Sequence, residues 1–147
     1  ITSSSVTCIA NIITTCQESL KVLWLAFEEC ENLNDECLQL RSSTIGSFTN
    51  LKDLSISLNS WNITNEGLAE LGKNLLQNKN LLNLKIDLSG CKNIDDQGIS
   101  PVGVLMDSIP GLQFLTLKLK GCDQISEQVR EDLILSLAPK LKELVIE

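Results

Sequence analysis

Histidine and tyrosine are absent from this 147-residue chain. Without an imidazole there can be no Ser-His-Asp triad, no Cys-His pair and no His-ligated zinc. Aromatic residues make up only 3%, too few for a platform that stacks the bases of single-stranded nucleic acid. Cations are short as well: 12 Lys and Arg face 19 Asp and Glu, giving a net charge of −7. A general nucleic-acid binder needs a basic face, so nucleic acid is not an expected partner. Long apolar runs are missing, and a bilayer span needs roughly 20 such residues. No membrane partner is expected either. Nor does the chain open with a charged segment leading into an apolar stretch and a small-residue cleavage site, so no secretory leader is expected.

Motifs for chemistry are equally scarce. The segment Gly98 to Gly103 has neither the P-loop lysine nor the dinucleotide-binding glycine spacing. Acidic pairs such as Glu28-Glu29 and Asp95-Asp96 fit a solvated loop or a helix start better than general acid/base work. The six cysteines, at positions 8, 16, 30, 37, 91 and 122, form no C-x-x-C pair. An even count permits a disulfide framework, but a 147-residue chain that is 43% hydrophobic does not need one. Reduced, buried cysteines are the expectation. No enzyme activity, cofactor or metal site is expected.

What the chain does have is a repeat. The pattern L-x-x-L-x-L-x-L runs through Leu20, Leu23, Leu25 and Phe27, then Leu51, Leu54, Ile56 and Leu58. It returns at Leu81, Leu84, Ile86 and Leu88, and again at Leu112, Leu115, Leu117 and Leu119. A fifth, shorter copy is Leu141, Leu144 and Ile146. The starts are separated by 31, 30, 31 and 29 residues, a period that marks a stacked-repeat architecture. Within each copy apolar and polar residues alternate, which predicts a short strand with one buried face.

Each strand is followed by a loop and an apolar anchor: Leu33, Ile63, Ile94 and Ile125. Immediately after the anchor comes a capping residue, Asn34, Thr64, Asp95 or Ser126, and then acids and amides. This is how a helix begins. The cap's side-chain oxygen accepts from free backbone N–H groups, and the acids favour the positive end of the helix dipole. Leu68, Leu71 and Leu75 then share one helical face, as do Val129, Leu133 and Leu137. In the third copy Ser100-Pro101 fits an N-cap followed by Pro at the first helical position. A helix starting near Ser100 is expected there, with 95–99 as a separate turn. Val6, Ile9, Ile13 and Cys16 predict a further helix before the first strand.

The pattern resembles the leucine-rich repeat family over essentially the whole chain. The likeness is strongest in Leu81 to Gly98, where the leucine motif leads through Ser89-Gly90-Cys91 to Asn93-Ile94 and on to Gly98. The length of the repeats is similar to the ribonuclease-inhibitor type, and the Gly-Cys-x-x-Ile elements at Cys91 and Cys122 are similar to the cysteine-containing type of F-box adaptors. The chain departs from both in an additional x-Leu pair in the strand and in Cys37 and Val129 where the motif has Gly. The resemblance implies an α/β leucine-rich-repeat solenoid, a curved horseshoe segment with parallel strands on the concave face and helices on the convex face. A single domain over 1–147 is expected: a partial helix 1–19, repeats 20–50, 51–80, 81–111 and 112–140, and a partial strand 141–147, part of a longer array. Stacking is physically required, because one strand and one helix cannot bury an apolar face alone.

The function expected is a non-catalytic scaffold that binds protein, in the cytoplasm, with cytoskeleton or cilium as candidate sites, within a larger complex. Strand positions between the core leucines project from the concave face. Trp24 and Phe114 are large aromatics there, suited either to anchoring a partner or, for Trp24, to packing against other chain. Lys85, Asp87, Lys118 and Lys120 would form a mixed-charge rim suited to a protein surface, or simply a solvated one. The rival functions are a structural subunit of a cytoskeletal or ciliary assembly and the substrate-recognition part of an F-box-type ubiquitin ligase.

Overall fold

The computed structural model describes residues 18–26 and 34–147, with backbone alone at 40 and 41. The expected helix at Val6, Ile9, Ile13 and Cys16 lies outside the described residues. So do Cys8, Phe27, Glu28, Glu29, Cys30 and the anchor Leu33. Elements alternate strictly: β1 (Val22–Ala26), α1 (Asp35–Gly46), β2 (Asp53–Ser57), α2 (Asn65–Leu75), β3 (Asn83–Asp87), α3 (Asp96–Asp107), β4 (Phe114–Lys118), α4 (Glu127–Leu137) and β5 (Glu143–Ile146). The strands form one parallel sheet in chain order. Parallel neighbours need a crossover, and each helix provides it. The architecture is an α/β leucine-rich-repeat solenoid, strands on the concave side and helices on the convex side.

The register follows the leucines. Leu23, Leu54, Leu84, Leu115 and Leu144 are paired from strand to strand, as are Leu25, Ile56, Ile86, Leu117 and Ile146. Between sheet and helices lies one core. The leucine-motif residues of β2, β3 and β4, the anchors Ile63, Ile94 and Ile125, and the helix face of Leu68, Leu71 and Leu75 are all buried. Each fully buried Leu or Ile contributes about 1.5–3 kcal/mol. At the two ends of the stack burial falls off: Leu20, Leu25, Leu141, Leu144 and Ile146 are only partly covered.

All four predicted caps are in place. Asn34, Thr64, Asp95 and Ser126 have extended backbones, and each side chain accepts from an N–H of the following turn. The expected start near Ser100 is incorrect. The third helix begins at Asp96, and Pro101 lies inside it. Asp95 caps by accepting from the N–H groups of Gln97 and Gly98, at 2.8 and 3.3 Å. Pro101 is exposed on the outer face, so the Gln97 carbonyl that loses its helical donor can be served by water. Ser100 points its hydroxyl back to the Asp96 carbonyl at 2.7 Å instead of capping.

Side chains bind each layer to the next at these helix starts. Asp35 accepts from the Thr64 N–H (2.8 Å) and hydroxyl (2.6 Å). Asn65 accepts from the Asp95 N–H (3.1 Å) and donates to the Asp95 carboxylate (2.8 Å). Asp96 accepts from the Ser126 N–H (2.7 Å). The Asn65 bond, then the helix N–H groups, hold the Asp95 carboxyl below its ordinary value. The glycines of the motif follow from this ladder. A Cβ on Gly67 would lie 2.1 Å from Asp35 Oδ1, and one on Gly98 would lie 2.0 Å from Asn65 Oδ1.

A second ladder uses thiols. Cys91 Sγ donates to the Leu58 carbonyl at 3.1 Å, and Cys122 Sγ to the Leu88 carbonyl at 3.0 Å. Both thiols are free and buried. Trp61 fills the corresponding place one layer earlier, also buried. Before each of these residues the chain turns through positive φ, at Ser60 (59°), Gly90 (74°) and Gly121 (74°), a conformation that glycine adopts without strain. Burial, with the Cys122 and Asp87 charges adding to it, pushes the Cys91 thiol up to about 12. Burial likewise raises Cys122.

Three measurements test this account. Gly98→Ala should lower stability by about 2 kcal/mol, because expelling the Asn65 side chain breaks two hydrogen bonds while alanine returns about 1 kcal/mol of helix propensity. In an Asn65→Ala background the same change should be neutral or stabilising in urea melts; an unchanged cost would refute the ladder. Asn78 is fully buried, and among the described residues nothing reaches its Nδ2 or Oδ1. Its place corresponds to Phe48 and Ile109, so Asn78→Leu should stabilise by about 1–3 kcal/mol, and a lower melting midpoint would contradict that reading. At pH 8 a thiol with a pKa of about 12 is ionised to about one part in ten thousand. Cys91 should therefore resist iodoacetamide until urea unfolds the chain, and Cys122, buried and raised in the same direction, should react only slowly before it does. Rapid native-state labelling, read by peptide mass spectrometry, would show that the thiols are not held as described.

Candidate protein-binding face

The outward strand positions form three columns across the sheet. The first is Val22, Asp53, Asn83, Phe114 and Glu143; the second is Trp24, Ser55, Lys85, Thr116 and Val145; the third is Ala26, Ser57, Asp87 and Lys118. Neighbouring strands are about 4.8 Å apart, so members of a column sit at that spacing on a rigid surface.

Trp24, Lys85 and Phe114 come together. They line one trough of about 360 Å³ with Asp53, Ser55, Asn83 and Thr116. Trp24 stands at its β1 end, 78% exposed, and Phe114 at its β4 end, 39% exposed. Val22, beside Trp24 on the same strand face, is 49% exposed. Three strand spacings separate the two aromatic walls, roughly 14 Å. The floor is polar: Asn83 Nδ2 donates to Asp53 Oδ1, and the Lys85 ammonium projects from the middle strand.

Asp87, Lys118 and Lys120 lie further along the same face. They line a second, more polar cleft of about 630 Å³ at the β5 end, together with Glu147 and Arg130. Lys118 Nζ pairs with Glu147 at 2.9 Å, and that bond raises the lysine's pKa. Asp87 accepts from the Ser89 N–H at 3.0 Å, which tightens the turn after β3. Lys120 is exposed in the turn after β4. Of the charged residues expected to form a rim, Lys85 lines the trough, and Asp87, Lys118 and Lys120 line the cleft beside it.

Two participants escaped the sequence reading. Glu147 pairs with Lys118 from the neighbouring strand end, a contact that needs the register. Arg130 sends Nη2 to the Leu119 carbonyl at 3.1 Å. It lies four residues after its cap, where the earlier helices carry the buried Leu38, Leu68 and Ile99. That break in an aliphatic column was visible in the sequence and is the signal that would have found it.

Among the described residues, no helix is long and apolar enough to cross a membrane. No family model matches the chain, and no curated protein sequence matches it. Solved structures share its fold, among them the following two. The C-terminal domain of tropomodulin from Caenorhabditis elegans aligns with a TM-score of 0.67 at 12% identity, covering 97% of this chain and 82% of that one. Actin-binding site 2 of leiomodin-1 aligns with a TM-score of 0.69 at 14% identity, covering 94% of this chain and 76% of that one. At such identities the likeness is one of fold. It supports the leucine-rich-repeat type and does not single out the ribonuclease-inhibitor or cysteine-containing subtype.

Proposed function

We propose that this chain is a non-catalytic scaffold that binds a protein partner on its concave face. The observation that carries this reading is the pair of exposed aromatics, Trp24 and Phe114, held at the two ends of one trough. Large aromatics on a rigid surface are the usual anchors of protein interfaces. The scaffold holds them at fixed spacing, so little ordering cost is incurred on binding. Lys85 would set the polarity of the partner segment between the anchors. Asp87, Lys118 and Lys120 would contact the part of it that reaches toward β5. Catalysis has little support here, since the chain has no imidazole and its buried thiols at Cys91 and Cys122 are protonated.

A cytoskeletal partner is the finer part of the proposal. The similar leiomodin-1 structure is an actin-binding site, which makes actin the first partner to test and a cytoskeletal assembly the first setting. The rival substrate receptor for ubiquitin ligation rested on the Gly-Cys elements. Gly90, Cys91, Gly121 and Cys122 already have structural duties in the turns, through positive φ and thiol bonds, so those residues lend it no separate support.

Binding to monomeric and filamentous actin can be read by fluorescence and cosedimentation. Trp24 is exposed and Trp61 is buried, so a Trp61→Phe chain reports on the trough alone. Trp24→Ala with Phe114→Ala should weaken binding by about thirtyfold or more, the loss of a strong anchor, with helix content unchanged. Failure of the intact chain to bind either form of actin rejects the cytoskeletal partner. Binding that ignores both substitutions rejects the concave face.

A further inference from the structure

The convex side carries a second, unlike surface. Val104 on α3 is 68% exposed and Leu135 on α4 is 73% exposed. Each lies nine residues after its cap, Asp95 or Ser126, and so directly opposite the buried helix face. The two are therefore side by side on adjacent helices. The same place holds Ser43 on α1 and Lys73 on α2, so the apolar ridge is confined to α3 and α4. Ile134, 43% exposed, extends it at one edge.

Charge is distributed just as unevenly. The four helices among the described residues, with their caps, contain ten Asp and Glu against three Lys and Arg, a balance of −7, which equals the net charge of the whole chain. Everything else is balanced. Glu131 and Asp132 flank Leu135 on the outer face of α4, and neither has a cation partner among the described residues.

We propose that the α3–α4 convex face docks a basic amphipathic helix of a partner protein. The geometry fits that occupant. Packed helices lie 8–10 Å apart, and α3 and α4 touch less closely than the earlier pairs, so Val104 and Leu135 are separated by at least about that distance. Residues i and i+7 of a helix are about 10.5 Å apart along its axis. A helix laid across α3 and α4 sets one apolar side chain on Val104 and the next, two turns on, beside Leu135. Lysines and arginines next to that stripe meet Glu131 and Asp132. An acidic or neutral helix would match the ridge but not its surroundings.

The test uses an 18-residue peptide of leucine and lysine, with leucines at i, i+3, i+4 and i+7, and a leucine–glutamate counterpart. Amide chemical-shift titration of the 147-residue chain should map the basic peptide to the outer residues of α3 and α4. Val104→Ser with Leu135→Ser should weaken it at least tenfold, and Glu131→Lys with Asp132→Lys should do the same. Both pairs are exposed and leave the core intact. The acidic counterpart should not bind, and Trp24→Ala with Phe114→Ala should leave the titration unchanged, which separates this proposal from the concave-face reading. Three results would overturn it: no binding of the basic peptide, binding that the Val104/Leu135 pair does not affect, or sedimentation showing that a second copy of the chain covers this face.

Discussion

The stack depends on one contact: the first side chain of each helix bound to the backbone of the next helix's cap. Asp35, Asn65 and Asp96 occupy that place in turn, and Thr64, Asp95 and Ser126 each donate an N–H to it. A cap residue's own N–H is one of the donors that its helix leaves unpaired. Taking its acceptor from the preceding layer satisfies the group and fixes the neighbour at once. A helix that slides or drifts outward loses the bond. Gly67 and Gly98 are consequences of that contact, because the preceding carboxylate or amide occupies the space their side chains would need.

On the sheet side the backbone ladder does the same work, extended past the strand ends by Leu58 N–H to Asp87 O and Leu88 N–H to Lys118 O. The thiols of Cys91 and Cys122 close the gap between the two ladders. With both layers pinned, outward side chains are displayed in fixed columns rather than on mobile loops. A residue that departs from its column is then a local change on a rigid surface. Trp24 departs on the concave side, and Val104 and Leu135 depart on the convex side. The two faces also differ in charge, since the helices hold the whole net charge and the concave face mixes signs. They are suited to partners of different chemistry.

Much of the fold was legible because the repeat states it several times over. Leu54, Leu84 and Leu115 mark the strand register, and the residue after each anchor marks each helix start. The start of α3 was misread for a local reason. Ser100-Pro101 is a good helix-start dipeptide taken alone, but the Asn65 side chain in the previous layer selects Asp95, and no local preference contains that contact. The candidate site was legible in its members and not in its grouping. Alternation alone placed Trp24, Lys85 and Phe114 on one face. That Lys118 is tied to Glu147 needs the pairing of β4 with β5. Asn78 carries no signal in the repeat pattern, yet stacking buries it between the places of Phe48 and Ile109.

α4 obeys the repeat least, and its exceptions share one cause. Four residues after the cap, Arg130 replaces Leu38, Leu68 and Ile99; a guanidinium cannot be left unpaired among leucines, so it turns to the Leu119 carbonyl. That carbonyl is the counterpart of the Leu58 and Leu88 carbonyls, which receive thiols from the following layer. Eight residues after the cap, Ile134 replaces Ser42, Gly72 and Gly103. Gly72 and Gly103 are the seats into which Leu105 and Leu133 of the next helix fit, and an isoleucine removes such a seat. Val129 replaces Gly67 and Gly98, and α4 shares less contact with α3 than the earlier helices share with one another. Ile134 thus alters the side of α4 equivalent to the seats at Gly72 and Gly103, and Val129 alters the side that meets α3. α4 therefore packs on the stack through different contacts from the earlier helices, and it carries two exposed apolar side chains, Ile134 and Leu135.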